Sequence, residues 1–239
     1  DSTTDHRTWT GADSEFYGWE ADGVNSPESL IDHWFSQIEK NVIDRQNGDE
    51  GALSRDVFVT AEGADLQQLI QKFLTGAITF SQGADDYLSN DVDGKGLLAD
   101  PDCEKDAAGE CTSKYSGLEH AWDEGYGYFG GATNYGQLTA DEIKANENDA
   151  NGDGKIDLLT EYNWGASVNA AKRDVGSEGL DEADRTDLVG DAWIGFSGGR
   201  QLIANAQADG EPALTDEEMA CLVTHRDLAV SSWEKAVAA

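Results

Sequence analysis

The sequence predicts an all-α fold, a helical bundle of about six to seven helices with a long acidic loop and an EF-hand-like calcium loop. Apolar residues recur at three- and four-residue spacing along most of the chain, which is typical of helices that bury one face. Alternation with a period of two residues, the pattern of half-buried strands, is nearly absent. Several segments also begin at residues that commonly cap helices. We therefore expect strands to be few.

The first part of the chain divides into an arm and a helix. Residues 1–25 are polar apart from four aromatic side chains, and we expect them to form an irregular arm. The helical bundle is predicted over 26–239. Its first helix begins at Ser26 and Pro27, an N-cap followed by a residue suited to the first helical position. Gly48 is expected to end this helix.

A second helix and a long acidic loop come next. Residues 63–88 carry apolar side chains at helical spacing. Residues 89–112 are rich in Asp and Glu, and an ordered loop of this length is usually functional. The alternation of acidic residues in this loop leaves open a second calcium site. Further helices are predicted over 113–130, from the N-cap Thr139, over 157–174, over 182–207, and from a capping box at Thr215 to the C-terminus.

The charge of the chain limits the partners that it can bind. Forty-eight acidic residues stand against sixteen basic ones, which gives a formal net charge of −32. Such a charge repels the phosphate backbone of nucleic acids and the surface of anionic membranes. Two interpretations remain open. The protein works in an ion-rich medium outside the cytoplasm of a marine or halophilic cell, or the acidic surface only keeps it soluble.

The cysteines and the membrane signals indicate where the protein works. No segment is long and apolar enough to cross a membrane, and a chain that begins at Asp1 without a Met fits a processed product. Cys103 and Cys111 are close enough in sequence to form a disulfide in an oxidising compartment. A zinc site is the weaker alternative, because no Cys-x-x-Cys pair accompanies them. We expect an extracellular or periplasmic protein, with Cys221 as a buried free thiol.

A calcium loop is predicted in the middle of the chain. Oxygen-bearing side chains occupy alternate positions from Asp149, Gly154 permits a sharp turn, and Ile156 fixes the loop to the core. The pattern departs from the EF-hand because position twelve is Thr160 and the carboxylate follows one residue later. The alternative is a solvated Asn/Asp/Gly turn. The predicted calcium ligands are Asp149, Asn151, Asp153, the backbone carbonyl of Lys155, Asp157 and Glu161.

A second candidate metal site lies on the third predicted helix. His120 and Glu124 are four residues apart and therefore share one helix face, and Asp123 stands beside them. Helical bundles build transition-metal sites from such pairs, with iron or zinc as the expected ion. The alternative is a structural His120 that is hydrogen-bonded within the core.

The segment around His120 resembles a known group of proteins. Gly117-Leu-Glu-His-Ala-Trp-Asp-Glu-Gly-Tyr-Gly-Tyr-Phe-Gly130 is similar to an uncharacterised family of bacterial secreted or lipid-anchored proteins related to the imelysins. The resemblance covers about 70–239 and implies a helical bundle with a role in metal binding or iron uptake. The His-Glu-x-x-His signature of zinc peptidases is absent, so peptidase activity is not implied. Further similar stretches are Phe80–Leu88, Glu161–Gly165, Ala170–Asp174 and Trp233–Lys235.

Three functions follow from these observations. The first is an extracytoplasmic calcium-binding helical protein that also holds a transition metal. The second is a protein that assembles into a surface layer or filament when calcium binds, with the aromatic arm contacting a neighbouring copy. The third is an enzyme, for which the sequence offers no nucleophile elbow, phosphate-binding loop or catalytic triad.

Overall fold

The fold is mostly helical, which confirms the predicted class. The computed structural model describes residues 27–174, 185–209 and 212–239. In these ranges the chain forms eight α-helices and one two-stranded antiparallel sheet. The predicted arm over 1–25 and the N-cap Ser26 lie outside the described residues.

The chain divides into two compact units between Ala77 and Ile78. The first unit contains helices α1 (Pro27–Gln46), α2 (Glu50–Leu53) and α3 (Leu66–Leu74). Gly48 follows α1 with a φ of +82°, which fits its predicted role at the end of the helix. The short helix α2 was not predicted. Asp65 caps α3 by accepting the Gln68 N–H at 3.0 Å, so the helix begins at Leu66 and not at 63.

The second predicted helix changes from an α-helix to a π-helix part of the way along. After α3 the chain continues as a π-helix over Thr75–Tyr87, in which each N–H bonds the carbonyl five residues back. Gly83 in this π-helix lies against the indole of Trp233, where an added Cβ would meet a ring carbon at 2.4 Å. The close approach explains why a small residue stands at this position.

Half of the predicted acidic loop is a hairpin. A 3-10 helix spans Gly96–Leu98, and strands β1 (Cys103–Lys105) and β2 (Cys111–Ser116) then pair in antiparallel register. The turn between the strands closes because the Asp106 carboxylate accepts backbone N–H groups of Ala108 and Glu110. A disulfide joins Cys103 and Cys111, whose Cα atoms are 5.6 Å apart.

The third predicted helix therefore begins later than expected. Residues 113–116 belong to β2, and α4 spans Gly117–Phe129. Ser116 caps this helix in a reciprocal capping box with Glu119, which fixes the point where strand gives way to helix.

Four further helices complete the second unit. The N-cap at Thr139 and the capping box at Thr215 are confirmed and start α5 and α8, and Thr139 also forms a capping box with Glu142. The helix predicted from 157 begins only at Gly165, because Asp157 and Glu161 close a turn and the Trp164 N–H is held by the Gly130 carbonyl at 2.7 Å. The helices are α5 (Ala140–Ala145), α6 (Gly165–Arg173), α7 (Leu188–Asp209) and α8 (Asp216–Ala238).

The core of the second unit lies where α4 and α8 pack on α7. Gly195 allows the backbone of α8 to approach, and an added Cβ there would stand 2.6 Å from the Ala229 nitrogen. Trp122 is buried and donates its indole N–H to the Phe196 carbonyl at 2.9 Å. Cys221 is exposed and not buried as predicted, since its neighbour Leu222 occupies the inward face of α8. In the described part of the chain, no helix combines the length and apolarity that crossing a bilayer requires.

Candidate functional site

The predicted calcium loop is closed at its base by asparagine side chains. Asn146 ends α5 in the left-handed conformation and bonds Asn163 twice, donating to its carbonyl at 3.0 Å and accepting its N–H at 2.7 Å. Asn148 is buried and donates to the Glu161 carbonyl at 2.9 Å, while its amide also pairs with the amide of Asn134. These bonds hold the two ends of the loop together and set its entry and exit.

The first three predicted ligands turn their oxygens toward the loop backbone. The two carboxylate oxygens of Asp149 accept the N–H groups of Asp153 and Gly154 at 3.1 and 2.8 Å. Asn151 Oδ1 accepts the Asp153 N–H at 2.9 Å, and Asp153 Oδ1 accepts the Lys155 N–H at the same distance. Gly154 has a φ of +79°, the left-handed turn for which the sequence places a glycine there.

Glu161 closes the loop from the other side. Its residue is only 3 % exposed. One carboxylate oxygen accepts the Asn151 N–H at 3.0 Å and the other accepts the Asp157 N–H at 2.9 Å. Among the described residues Glu161 forms no ion pair. A buried carboxylate therefore sits on the loop with two backbone donors and, within the described ranges, no positively charged partner.

The loop carboxylates do not converge on one point in this structure. No three of them bring oxygens within 4.8 Å of one another; the only such set of Asp, Glu, His or Cys in the described ranges is Asp102, Cys103 and Cys111. The cysteines of that set are joined in the disulfide. Asp157 Oδ1 accepts the Leu159 N–H at 2.7 Å. Glu161 also lies in a turn, and not on a helix as predicted.

The three residues of the second predicted metal site each contact different partners. His120 is exposed, and its ring stacks on Tyr115 with centroids 5.3 Å apart. Asp123 pairs with Arg200 at 2.8 Å, and the same guanidinium reaches Glu119 at 3.0 Å. The core position expected for His120 is wrong, since α4 turns this residue outward.

Glu124, the remaining residue of the second predicted metal site, faces a pair of stacked tyrosines. The rings of Tyr87 and Tyr128 are 5.5 Å apart. The pKa of both phenols is raised, first by burial and then by the charge of Glu124. The predicted transition-metal site stays a prediction.

A pocket that the sequence analysis missed lies between α4 and α7. It has a volume of about 550 Å³. The sequence signal for this pocket is the spacing of its lining residues. Trp122 and Tyr126 are four residues apart on α4. On α7 the aromatic residues Trp193 and Phe196 are followed by the basic residue Arg200. The residues that line it are Trp122, Asp123, Tyr126, Thr133, Trp193, Phe196, Ser197, Arg200, Gln201 and Ala204.

The fold and the loop define a mostly helical protein with a disulfide-linked hairpin and an acidic, glycine-containing turn. Comparison with known proteins gives one match: residues 5–156 match the family described as Domain of unknown function (DUF4856). Since this match spans more than half of the chain, the protein belongs to that family. No curated protein and no solved structure matches significantly. The resemblance to the imelysins is not tested by these comparisons.

Proposed function

We propose that this protein is an extracytoplasmic calcium-binding protein and that the ion stabilises its helical fold through the loop over 149–161. The observation that carries the proposal is Glu161, a carboxylate in a residue that is only 3 % exposed and that forms no ion pair within the described residues. Two backbone N–H groups offset part of the cost of burying this carboxylate, and an opposite charge would offset the rest. A calcium ion beside Glu161 supplies that charge.

The loop offers the ligand types that calcium prefers. Carboxylates, an amide oxygen and a backbone carbonyl are hard oxygen donors, and calcium accepts six to eight of them in flexible geometry. The side-chain oxygens of Asp149, Asn151 and Asp153 now accept backbone N–H groups. A bound cation takes the place of these donors. The residues that would hold calcium are Asp149, Asn151, Asp153, Lys155 through its carbonyl, Asp157 and Glu161.

The position of the loop explains how an ion would stabilise the whole second unit. The asparagine bonds at its base connect the end of α5 to the segment that leads into α6. Without a cation, four carboxylates repel one another in a protein whose net charge is already −32. Neutralising them favours the folded chain. The disulfide of the hairpin supports a location outside the reducing cytoplasm.

The proposal is tested by thermal unfolding with calcium and with a chelator. Calcium at about one hundred times its Kd should stabilise the protein by about 2.7 kcal/mol, which raises the midpoint by roughly 2–4 °C per kcal/mol. Glu161→Gln keeps the shape of the side chain, removes its charge and should abolish most of the shift. Glu234→Gln removes the same charge from an exposed residue on α8 and should leave the shift intact.

Two outcomes would refute the calcium role. One is a wild-type midpoint that is the same in calcium and in chelator, together with no heat of binding in calorimetry. The other is an equal calcium shift in wild type and Glu161→Gln. We extend no proposal to a transition metal at His120, because Asp123 is committed to Arg200 and His120 stacks on Tyr115.

Calcium-dependent assembly is a second candidate, and an exposed apolar edge beside the loop supports it. Leu159 is 91 % exposed, and Leu158 and Trp164 are also more than half exposed. Apolar side chains clustered at the surface often mark interaction sites. If calcium promotes assembly through this edge, light scattering should rise on calcium addition in wild type and not in Leu159→Ser. Scattering that stays at the monomer value in calcium would contradict this second role.

A further inference from the structure

The pocket between α4 and α7 has the size and the walls of a small-molecule site. Its volume of about 550 Å³ falls within the roughly 300–1,000 Å³ that is common for ligand pockets. Four aromatic side chains form much of its lining, and Asp123 and Arg200 are among its polar residues. These aromatic residues are Trp122, Tyr126, Trp193 and Phe196.

Two of the aromatic side chains are held by hydrogen bonds to backbone carbonyls. Trp122 donates its indole N–H to the Phe196 carbonyl at 2.9 Å, and Tyr126 donates its hydroxyl to the Ala132 carbonyl at 2.7 Å. Trp122 is only 1 % exposed and supports the wall from behind, so the half-buried rings of Tyr126 and Trp193 supply the carbon surface that a ligand can reach. Gly199 makes room for Trp122, because an added Cβ would lie 2.1 Å from the indole. The walls are therefore set before any ligand binds.

The rim of the pocket carries a planar polar group. Arg200 donates from Nε to Asp123 at 2.8 Å, and its Nη2 lies 3.0 Å from Glu119. A guanidinium has five N–H donors, so donors remain for a ligand after these two contacts. The Asp123 side chain is 54 % exposed and keeps acceptor positions free. Donors and acceptors thus stand side by side next to aromatic carbon.

We propose that this pocket binds a neutral saccharide. A pyranose ring has a C–H face that packs on aromatic rings, and adjacent hydroxyls that each donate and accept hydrogen bonds. The aromatic walls suit the first feature, and the Asp123–Arg200 pair suits the second.

The charges of the rim disfavour the other classes. One arginine faces two carboxylates, and the protein as a whole carries −32, so an anionic ligand is repelled. A cation would be repelled by Arg200, whose positive charge already pairs with both carboxylates. A wholly apolar ligand would remove water from Asp123 and Arg200 without replacing the lost hydrogen bonds. A neutral ligand rich in hydroxyls avoids all three costs.

The proposal is tested on the full-length protein with a panel of neutral mono- and oligosaccharides, by tryptophan fluorescence and calorimetry. At least one of them should bind at millimolar concentration or below. The affinity should change little with salt, because the ligand carries no charge. Choline, glucuronate and a sugar phosphate serve as charged comparison probes.

Two variants and one control locate the binding. Ala204→Trp places a bulky side chain in the lining of the cavity and should abolish binding. Trp193→Ala removes one wall and should weaken binding about tenfold. Trp164→Ala removes an exposed tryptophan that lies outside the lining and should leave the affinity unchanged.

Three results would overturn the proposal. One is the absence of binding by every neutral saccharide at millimolar concentration. Another is saccharide binding that Ala204→Trp leaves intact, which would place the site elsewhere. The third is tighter binding of choline, glucuronate or the sugar phosphate that Ala204→Trp abolishes, which would assign the pocket to a charged ligand. None of these results depends on whether calcium binds the loop.

Discussion

Two glycines of α4 should respond differently to replacement by alanine. A Cβ added at Gly125 would lie 2.7 Å from Leu88 Cγ and 2.8 Å from its Cδ2. Leu88 is fully buried, at 0 % exposure, so it has no open space into which it can move. A Cβ added at Gly127 meets nothing within 4 Å. The two positions are two residues apart on one helix, which makes each a control for the other.

The magnitudes follow from two opposing effects. Replacing Gly by Ala within a helix stabilises the fold by about 1 kcal/mol, and this gain is common to both positions. Overpacking a filled core costs about 1–3 kcal/mol, and only Gly125→Ala incurs it. Gly127→Ala should therefore stabilise the protein by about 1 kcal/mol. Gly125→Ala should be less stable than Gly127→Ala by about 1–3 kcal/mol, because the helix-propensity term cancels in the difference.

Urea unfolding at a fixed calcium concentration measures this difference. Leu88→Ala provides a further check, since it removes the side chain that the new Cβ would meet. In the Gly125→Ala background it should cost less than in wild type, which a double-mutant cycle detects as coupling. In the Gly127→Ala background it should cost the same as in wild type. Equal stabilities for the two alanine variants, or no coupling at Gly125, would refute the packing argument.

Two further predictions concern a buried tyrosine and the hairpin. Burial raises the pKa of Tyr126. The buried neutral phenol therefore contributes its full stabilisation below about pH 10, where the phenol of the unfolded chain ionises, and this stabilisation declines at higher pH. Tyr126→Phe should cost about 1 kcal/mol at neutral pH and less at alkaline pH in urea unfolding; a pH-independent cost would contradict this. Cys103→Ser should lower the free energy of unfolding by about 2–3 kcal/mol, whereas Cys221→Ser should leave it unchanged; equal losses would contradict the assignment of the disulfide.

Local rules predicted the features that a few neighbouring residues decide. The N-cap at Thr139 and the capping box at Thr215 depend on a side chain and a backbone N–H three residues apart, so the sequence alone predicts them. Gly48 ends α1 for an equally local reason, since a left-handed residue is needed there. The helical class follows from the sum of many such short-range preferences.

Features that depend on distant partners could not be predicted in the same way. Asp123 stands beside His120 and Glu124 in the sequence, yet its partner is Arg200, 77 residues further on. The start of α6 is delayed to Gly165 because the preceding residue is held by the Gly130 carbonyl. The pocket combines residues of α4 and α7, and the spacing within either helix gives only half of it. Tertiary contacts decide each of these cases.

The predicted calcium loop depends both on neighbouring residues and on a partner that the sequence does not contain. Its sequence pattern therefore leaves two interpretations open, a calcium site and a solvated turn. A cation and a backbone N–H are both electropositive partners for an inward-facing oxygen. Asp149 and Asn151 would therefore look alike in a calcium site and in a solvated turn that binds its own backbone. The two interpretations differ most at Glu161, a residue only 3 % exposed, because a cation would add the positive charge that its two backbone N–H donors do not carry. Glutamine keeps only one of the two oxygens that accept backbone N–H groups, so Glu161→Gln should lower stability with or without calcium, and the decisive result is whether it also removes the calcium-dependent shift of the midpoint.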